Sequence, residues 1–272
     1  MPKPTTTPTT TPTTTTDTDE QAFLAGYDAS QYPRPSVAVD VALFTVLDDR
    51  LHVLLVRRAD HPFKDRWALP GTFLGGTESL DDAAARALHA KADLDDVFLE
   101  QLYTFGAPGR DPRTRVLAVA YYALVEPGRL LDAVARKRDA SLRLARIARP
   151  SGHPDEETGE PYAIADDGVA LPMAFDHAEI LAMAVHRLEG KVGYSDIGFQ
   201  LLGETFTLLD LRRVHQAILA RELNKDSFRR TMLDRRLVVE TGEVLTGVGH
   251  RPPALYRFAK SSPTPDSRKG AR

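Results

Sequence analysis

The sequence predicts two folded parts: a mixed α/β layer domain, then a small helix-turn-helix module closed by a β-hairpin. Three observations predict this. Between residues 36 and 125, strand-like alternation flanks one capped helical segment, the pattern of a layered α/β unit. Between residues 207 and 258 the rhythm changes to helix, short turn, helix and two short strand patterns. Charge divides in the same place. Thr205 to Lys260 holds 11 lysines and arginines against 6 acidic residues, a net of +5, so in a chain of net −3 the remainder carries −8. A locally basic C-terminal module points to nucleic acid.

The elements follow in chain order. Residues 1–30 are a Pro/Thr-rich arm that cannot build a core and is expected to be disordered. It has no apolar core of a signal peptide. Ser36 to Val46 reads as a strand and Arg50 to Val56 as its partner, with Asp48-Asp49 as the turn. Ser79 to Lys91 has helical spacing with a cap-like Ser79/Asp82 pair. Arg115 to Val125 is another strand. Residues 128–165 read as an insertion, its first half (Arg129 to Arg149) a basic helical pattern and its second half loop-like and acidic. Asp176 to Gly190 is a helix opened by Asp176 with Glu179 three residues on. The expected organisation is therefore an arm (1–30), a first domain (31–190), a second domain (191–260) and a disordered polar tail (261–272).

Composition bounds the chemistry. With 272 residues, 42% of them hydrophobic, the chain is long enough for two ordinary domains. It has no cysteine, which excludes disulfides, thiolate zinc sites and cysteine nucleophiles. No apolar run approaches the roughly 20 residues that span a bilayer, so a cytoplasmic location is expected.

Trp67-Ala-Leu-Pro-Gly71, followed by Glu78 and by Ala83-Ala-Ala-Arg86-Ala-Leu88, is similar to the Nudix box. The resemblance implies a Nudix-like α/β/α sandwich with a mixed sheet. In that box, glutamates on one helix face converge on Mg²⁺, which activates water and neutralises a diphosphate. Here the three positions are Ala87, Ala90 and Lys91. Two carboxylates are missing and a cation replaces the third. The box's first glycine is Thr72 and its last is Asp93. The expectation is a diphosphate-binding pocket without catalytic residues, metal or cofactor. Lys91, with Arg86 or a neighbour, supplies charge where the metal would sit; Arg86 paired with an acid to hold the loop is the alternative. A rescued metal site at Glu78, Asp81, Asp82 or Glu100 is a third reading.

The flanks sharpen the resemblance. Val56-Arg-Arg58, His61-Pro-Phe-Lys64, Glu100 to Gly106, Arg110-Asp-Pro-Arg113, Ala174-Phe-Asp-His-Ala-Glu-Ile-Leu181, Phe206 to Leu211, Phe228-Arg-Arg230 and Arg251 to Phe258 resemble the Nudix-related transcriptional regulators of NAD metabolism. The resemblance covers about residues 35–260. It implies a homodimeric repressor that binds double-stranded operator DNA and responds to ADP-ribose or a related nucleotide. Relatives of the same broad group sense sugars, and a Nudix hydrolase of a nucleoside diphosphate derivative is the rival reading.

Several residues are candidates beside this. Arg57, Arg58, Arg110 and Arg113 can clamp a diphosphate, because guanidinium forks match phosphate oxygens. The alternative for Arg110 to Arg113 is a turn held by Asp111 and Pro112. Phe73, Phe105 or Trp67 can stack on adenine, Trp67 being equally suited to the core. Glu78, Arg86 and Lys91 complete the ligand set. His177, beside Asp176 at a helix start, suits a capping turn or pocket wall better than a general base.

In the second part, helix (Thr207 to Ala220), turn (Glu222 to Lys225), helix (Asp226 to Arg235) and hairpin (Leu237 to Glu240 with Ala254 to Phe258) is the order of a winged helix-turn-helix. Its second helix enters the major groove. Lys225, Ser227, Arg229, Arg230, Arg235 and Arg236 crowd that helix and its end. Arg229 or Arg230 is expected at base edges, and Lys225 and Arg235 at phosphates. Phe228, Met232 and Leu233 have the spacing to face the core. His250 and Arg251 are expected at the wing, against backbone or minor groove.

Overall fold

The computed structural model describes residues 15–149, 159–247 and 252–259. The described residues up to Pro35 form a unit of their own. Helix α1 (Thr15–Gly26) and a 3₁₀ turn (Ala29–Gln31) lie in it. The arm thus contains a helix where disorder was expected, in the proline-free stretch after Pro12. None of its described side chains is buried, in keeping with a segment that builds no core.

The described residues from Ser36 onward form the second unit. Its strands and helices run β1 (Ser36–Leu47), β2 (Arg50–Arg57), β3 (Trp67–Ala68), β4 (Gly71–Phe73), α2 (Leu80–Ala92), β5 (Phe98–Phe105), β6 (Val116–Leu124), α3 (Pro127–Lys137), β7 (Leu142–Ala148), β8 (Tyr162–Ile164) and α4 (His177–Val192). A 3₁₀ helix (Ile197–Leu201) then leads to α5 (Leu208–Leu219), α6 (Lys225–Asp234), β9 (Val238–Val244) and β10 (Ala254–Phe258).

Strands β1 to β8 make one mixed sheet in the order β5-β6-β1-β2-β7-β8, with β3 on β2 and β4 on β1. The pairing of β1 with β6 is parallel and the others are antiparallel. Central β1 explains the layering. Strand side chains alternate between faces. Val39, Val41 and Leu43 pack into one core with Ala83, Ala84, Ala87 and Leu88 of α2 and Leu130 of α3. Ala42, Phe44 and Val46 pack into the opposite core with Ile180, Leu181 and Leu188 of α4 and Val214 and Ile218 of α5. Burial of a side chain the size of Phe44 contributes about 1.5–3 kcal/mol. The result is an α/β/α sandwich.

Helix α2 starts where the sequence places it. Ser79 Oγ accepts a hydrogen bond from the Asp82 amide at 3.1 Å, satisfying an otherwise orphan N–H. Asp93 ends the helix in a left-handed conformation at φ 53°.

The segment read as an insertion belongs to the sheet. The expected helix from Arg129 to Arg149 stops at Lys137, and Leu142–Ala148 becomes β7, hydrogen-bonded to β2. The alternation Leu142, Leu144 against Ala145, Ile147 feeds two cores, and the arginines between them disguised it as helix. Residues 150–158 lie outside the described set.

The C-terminal elements follow the expected order. Thr207 and Asp210 form a reciprocal capping box on α5, and Asn224 caps α6. Phe206, Leu211, Phe228, Met232, Val238 and Tyr256 form a third core beneath the β9–β10 hairpin. Leu233, expected in that core, is instead 37% exposed, because it falls one position off the Phe228/Met232 stripe. Helix α5 also contributes to the core under the sheet, so the two expected domains share apolar packing rather than meeting at a bare linker.

Candidate functional site

A cleft of about 380 Å³ opens at one end of the sheet, where β1, β2 and β4 meet the loops carrying Arg110 and Phe175. Its floor is a buried charge network. Arg110 donates to both carboxylate oxygens of Asp176, at 2.7 and 2.6 Å, and lies 3.5 Å from Asp40 Oδ2. Its side chain is only 4% exposed. Burial opposes the charge, but the hydrogen bonds and charge of Asp176 outweigh it, and the Arg110 pKa is raised above its usual value. His177 completes the floor. Its Nδ1 accepts a hydrogen bond from the Leu69 amide at 2.9 Å, and its Nε2 lies 3.7 Å from Asp40 Oδ2. Burial pushes its pKa down, so it stands as a neutral wall. Gly71 lets the wall close: a Cβ there would lie 2.3 Å from Asp40 Oδ1.

The rim carries cations on aromatic faces. The Arg58 guanidinium sits 4.8 Å from the centre of the Phe175 ring, and that of Arg113 sits 5.8 Å from the same ring and 5.6 Å from Phe73. Burial and the neighbouring Arg113 charge lower the Arg58 pKa. Two guanidiniums sharing one ring form a concentration of positive charge that an anionic ligand relieves. Arg113 is also held by Asp111 at 3.0 and 2.7 Å, which aims its fork. Arg57 reaches Asp65 at 3.2 Å and is 53% exposed. Phe73 is 46% exposed and offers an open ring face. Lys91 lines the same cleft from α2.

The structure sorts the ligand-binding expectations. Arg57, Arg58, Phe73, Lys91, Arg110 and Arg113 share the cleft. Arg110, however, is committed to Asp176 and serves the floor rather than the rim. Glu78 and Arg86 do not line the cleft. Arg86 donates to both Glu78 oxygens, to Thr72 Oγ1 at 2.8 Å and to the Phe73 carbonyl at 2.9 Å, while Glu78 accepts from the Gly75 amide at 2.6 Å. Together they hold the loop after β4, the pairing weighed as the alternative for Arg86. Phe105 is 5% exposed and packs in the core under the sheet, out of reach of a ligand in the cleft. Trp67 packs against that same core.

Two cleft residues were not singled out from sequence. Asp40 carried a signal, a lone acid inside an apolar strand pattern. Phe175, at φ 51°, holds a left-handed conformation unusual for a bulky residue. It lies within Ala174 to Leu181, but nothing in its spacing marks it.

The metal-binding chemistry of the box does not fit these residues. Ala87 is buried in the core, Ala90 is exposed and Lys91 presents an ammonium. Among the described residues, no three His, Asp or Glu side chains converge as metal ligands.

On the C-terminal module, Lys225, Ser227, Arg229, Arg230, Arg235 and Arg236 are exposed along α6 and its end. Among the described residues, Arg229 and Arg230 have no ion-pair partner. Arg235, expected at phosphate, is instead tied to the chain: its two terminal nitrogens donate to the carbonyls of Gly193 and Tyr194, at 2.6 and 2.8 Å. Arg236, just past the helix, holds a left-handed conformation at φ 54° and is exposed. His250 and Arg251 lie outside the described residues. Among the described residues no helix is long and apolar enough to cross a membrane.

Comparison with known proteins agrees with this architecture. Residues 198–258 match the NrtR DNA-binding winged helix domain, and residues 37–158 match the NUDIX domain. The ADPR responsive transcriptional repressor NtrR of Acinetobacter baylyi is 34% identical over 244 residues, which is 89% of either chain. A crystal structure of Shewanella oneidensis NrtR complexed with a 27mer DNA has a TM-score of 0.68 at 32% identity, covering 82% of this chain and 93% of that one. A MutT/nudix family protein from Enterococcus faecalis has a TM-score of 0.69 at 26% identity, covering 89% and 93%. Winged helix, Nudix sandwich and a relative aligned along nearly its whole length agree: the chain belongs to the NrtR family of Nudix-related transcriptional repressors.

Proposed function

We propose that this chain represses transcription by binding duplex operator DNA through its winged helix, and that ADP-ribose or a related nucleotide binds in the Nudix-like cleft without being hydrolysed. The observation that carries the effector reading is the rim. Arg58 and Arg113 flank one aromatic ring, Phe73 offers a second, and Lys91 supplies an ammonium where a metal-binding carboxylate would stand. That set suits a diphosphate joined to a stacking base. It lacks the ligands that would activate water. The name of the Acinetobacter relative, with its ADPR response, supports the same effector.

The DNA reading rests on α6. Arg229 and Arg230 are exposed and uncommitted, suited to base edges, while Lys225 at the helix start and Arg236 at its end suit flanking phosphates. Phosphate contacts fix register and base contacts specify. His250 and Arg251 belong to the proposed wing contact. The working unit is a homodimer of two sandwiches (31–190) and two winged helices (191–260), because a pair of recognition helices matches two half-sites.

The test is a gel shift on DNA upstream of neighbouring NAD genes, with and without ADP-ribose, beside an assay of ADP-ribose cleavage with Mg²⁺. The expected result is a salt-sensitive shift that ADP-ribose alters, and no cleavage at an ordinary enzymatic rate. Turnover at such a rate overturns the non-catalytic reading, and absence of any shift overturns the NAD assignment.

A further inference from the structure

A second cleft, of about 560 Å³, lies on the other side of the sheet from α2, between the β1–β2 turn, the end of β7 and helix α5. The effector reading makes no use of it. Its lining is rich in arginine: Arg50, Arg149, Arg212, Arg213 and Arg221. Their partners divide them. Arg149 is spent on Glu189 at 2.8 Å and on the Ile218 carbonyl at 2.6 Å. Arg213 leans on Asp49 at 3.5 Å. Arg50, Arg212 and Arg221 have no carboxylate partner among the described residues.

Arg212 is the informative one. Among the described residues its Nε, shielded from solvent, has no hydrogen-bond acceptor, and its one bond is a long 3.5 Å contact from a terminal nitrogen to the Leu223 carbonyl. One turn along the same helix, Gln216 Oε1 is shielded too and has no donor among the described residues. The Gln216 amide is oriented by its nitrogen, which donates to Glu222 at 2.6 Å, so the free oxygen is not a matter of a flipped group. Native proteins leave few buried polar atoms unpaired, because each costs about 1–3 kcal/mol. Here a buried donor on a cation and a buried acceptor stand at i and i+4 on one helix face, in a cleft of the size that holds small molecules.

We propose that this cleft is a binding site for a small phosphate ester that also carries hydroxyl groups. The phosphate takes the Arg212 fork, assisted by Arg50 and Arg221, and a ligand hydroxyl donates to Gln216 Oε1. A guanidinium fork matches phosphate oxygens bidentately. Arg212 and Gln216 are half-buried in the cleft wall, which favours a small molecule that enters the cleft over a nucleic-acid backbone passing outside. The site is independent of the ADP-ribose reading and stands or falls without it.

Titration calorimetry on the full chain tests it, with ribose 5-phosphate, inorganic phosphate and ribose as probes. The expected result is saturable binding of ribose 5-phosphate, weaker binding of phosphate and none of ribose. Arg212→Gln and Arg221→Gln should each weaken ribose 5-phosphate binding tenfold or more, and Gln216→Leu should shrink its advantage over phosphate. Arg221 is exposed, so its substitution keeps the test free of folding defects. Arg58→Ala, at the first cleft, should leave this binding in place. The proposal is overturned if the wild-type chain gives no saturable phosphate-dependent heat. Binding that survives both arginine substitutions, or that disappears with Arg58→Ala, overturns it as well.

Discussion

Replacing Arg110 with methionine removes the one cation from the floor of the first cleft and keeps much of its apolar volume. The magnitude follows from burial and partners. The side chain is 4% exposed and holds Asp176 through two short hydrogen bonds, with Asp40 at 3.5 Å. Deleting one member of such a buried pair leaves uncompensated charge and costs about 3–5 kcal/mol. Two carboxylates are stranded here, at 9% and 15% exposure, so the upper end of that range applies. For a unit of this size each kcal/mol lowers Tm by about 2–4 °C, so the expected drop is roughly 10–20 °C. Thermal unfolding followed by circular dichroism reads it. The cycle with Asp176→Asn supplies the control, because removing both charges should recover part of the loss. If Arg110→Met lowers Tm by less than about 2 °C, or if the double variant is additive, the floor is not held by this pair and the argument fails.

Three further predictions share the same footing. Burial, with the charge of Arg235 adding to it, lowers the His215 pKa from 6.5 to about 4, so the folded state favours neutral histidine. Stability contributed by that neutrality is complete above pH 6.5 and is lost as pH falls from 6.5 toward 4, by about 3 kcal/mol; urea unfolding across that window should show the slope, and His215→Leu should flatten it. Gly71→Ala places a Cβ 2.3 Å from Asp40 Oδ1 and 3.0 Å from the Val39 carbonyl, so it should lower Tm by several degrees and weaken effector binding, and unchanged values for both would contradict the packing described. Arg229→Ala and Arg230→Ala should each weaken operator binding about fivefold to a hundredfold, as loss of a 1–3 kcal/mol base contact does; a variant that instead only lowers the salt slope, by about 0.9, marks its arginine as a phosphate contact.

Much of this was legible in the sequence, and the parts that were not share a cause. Strand β1, the cap at Ser79 and the helix starting at Thr207 are local signals, and they appear within a residue or two of where the sequence places them. Local spacing leaves the partner of Arg86 open, because choosing Glu78 requires the loop after β4 to fold back on helix α2. The floor network is less local still: Arg110 and Asp176 are 66 residues apart, and spacing offers no hint that they meet. Asp176 looked like an ordinary helix cap, yet its carboxylate makes no capping bond because Arg110 takes it. Strand β7 was misread because arginines whose stems cover apolar surface resemble the polar face of a helix.

Helix α4 gives the two candidate sites a common mechanical member. It starts beside the Asp176 that Arg110 grips, and just past its other end Gly193 and Tyr194 accept the hydrogen bonds of Arg235, at the close of the recognition helix. Its 16 residues span about 24 Å at 1.5 Å each. A rod of that length, tilted by about 5° at the cleft, moves its far end by about 2 Å. Displacement on that scale is a sizeable part of a base-pair rise, so in the proposed dimer the fit of paired recognition helices to their half-sites depends on how firmly the cleft floor is clamped.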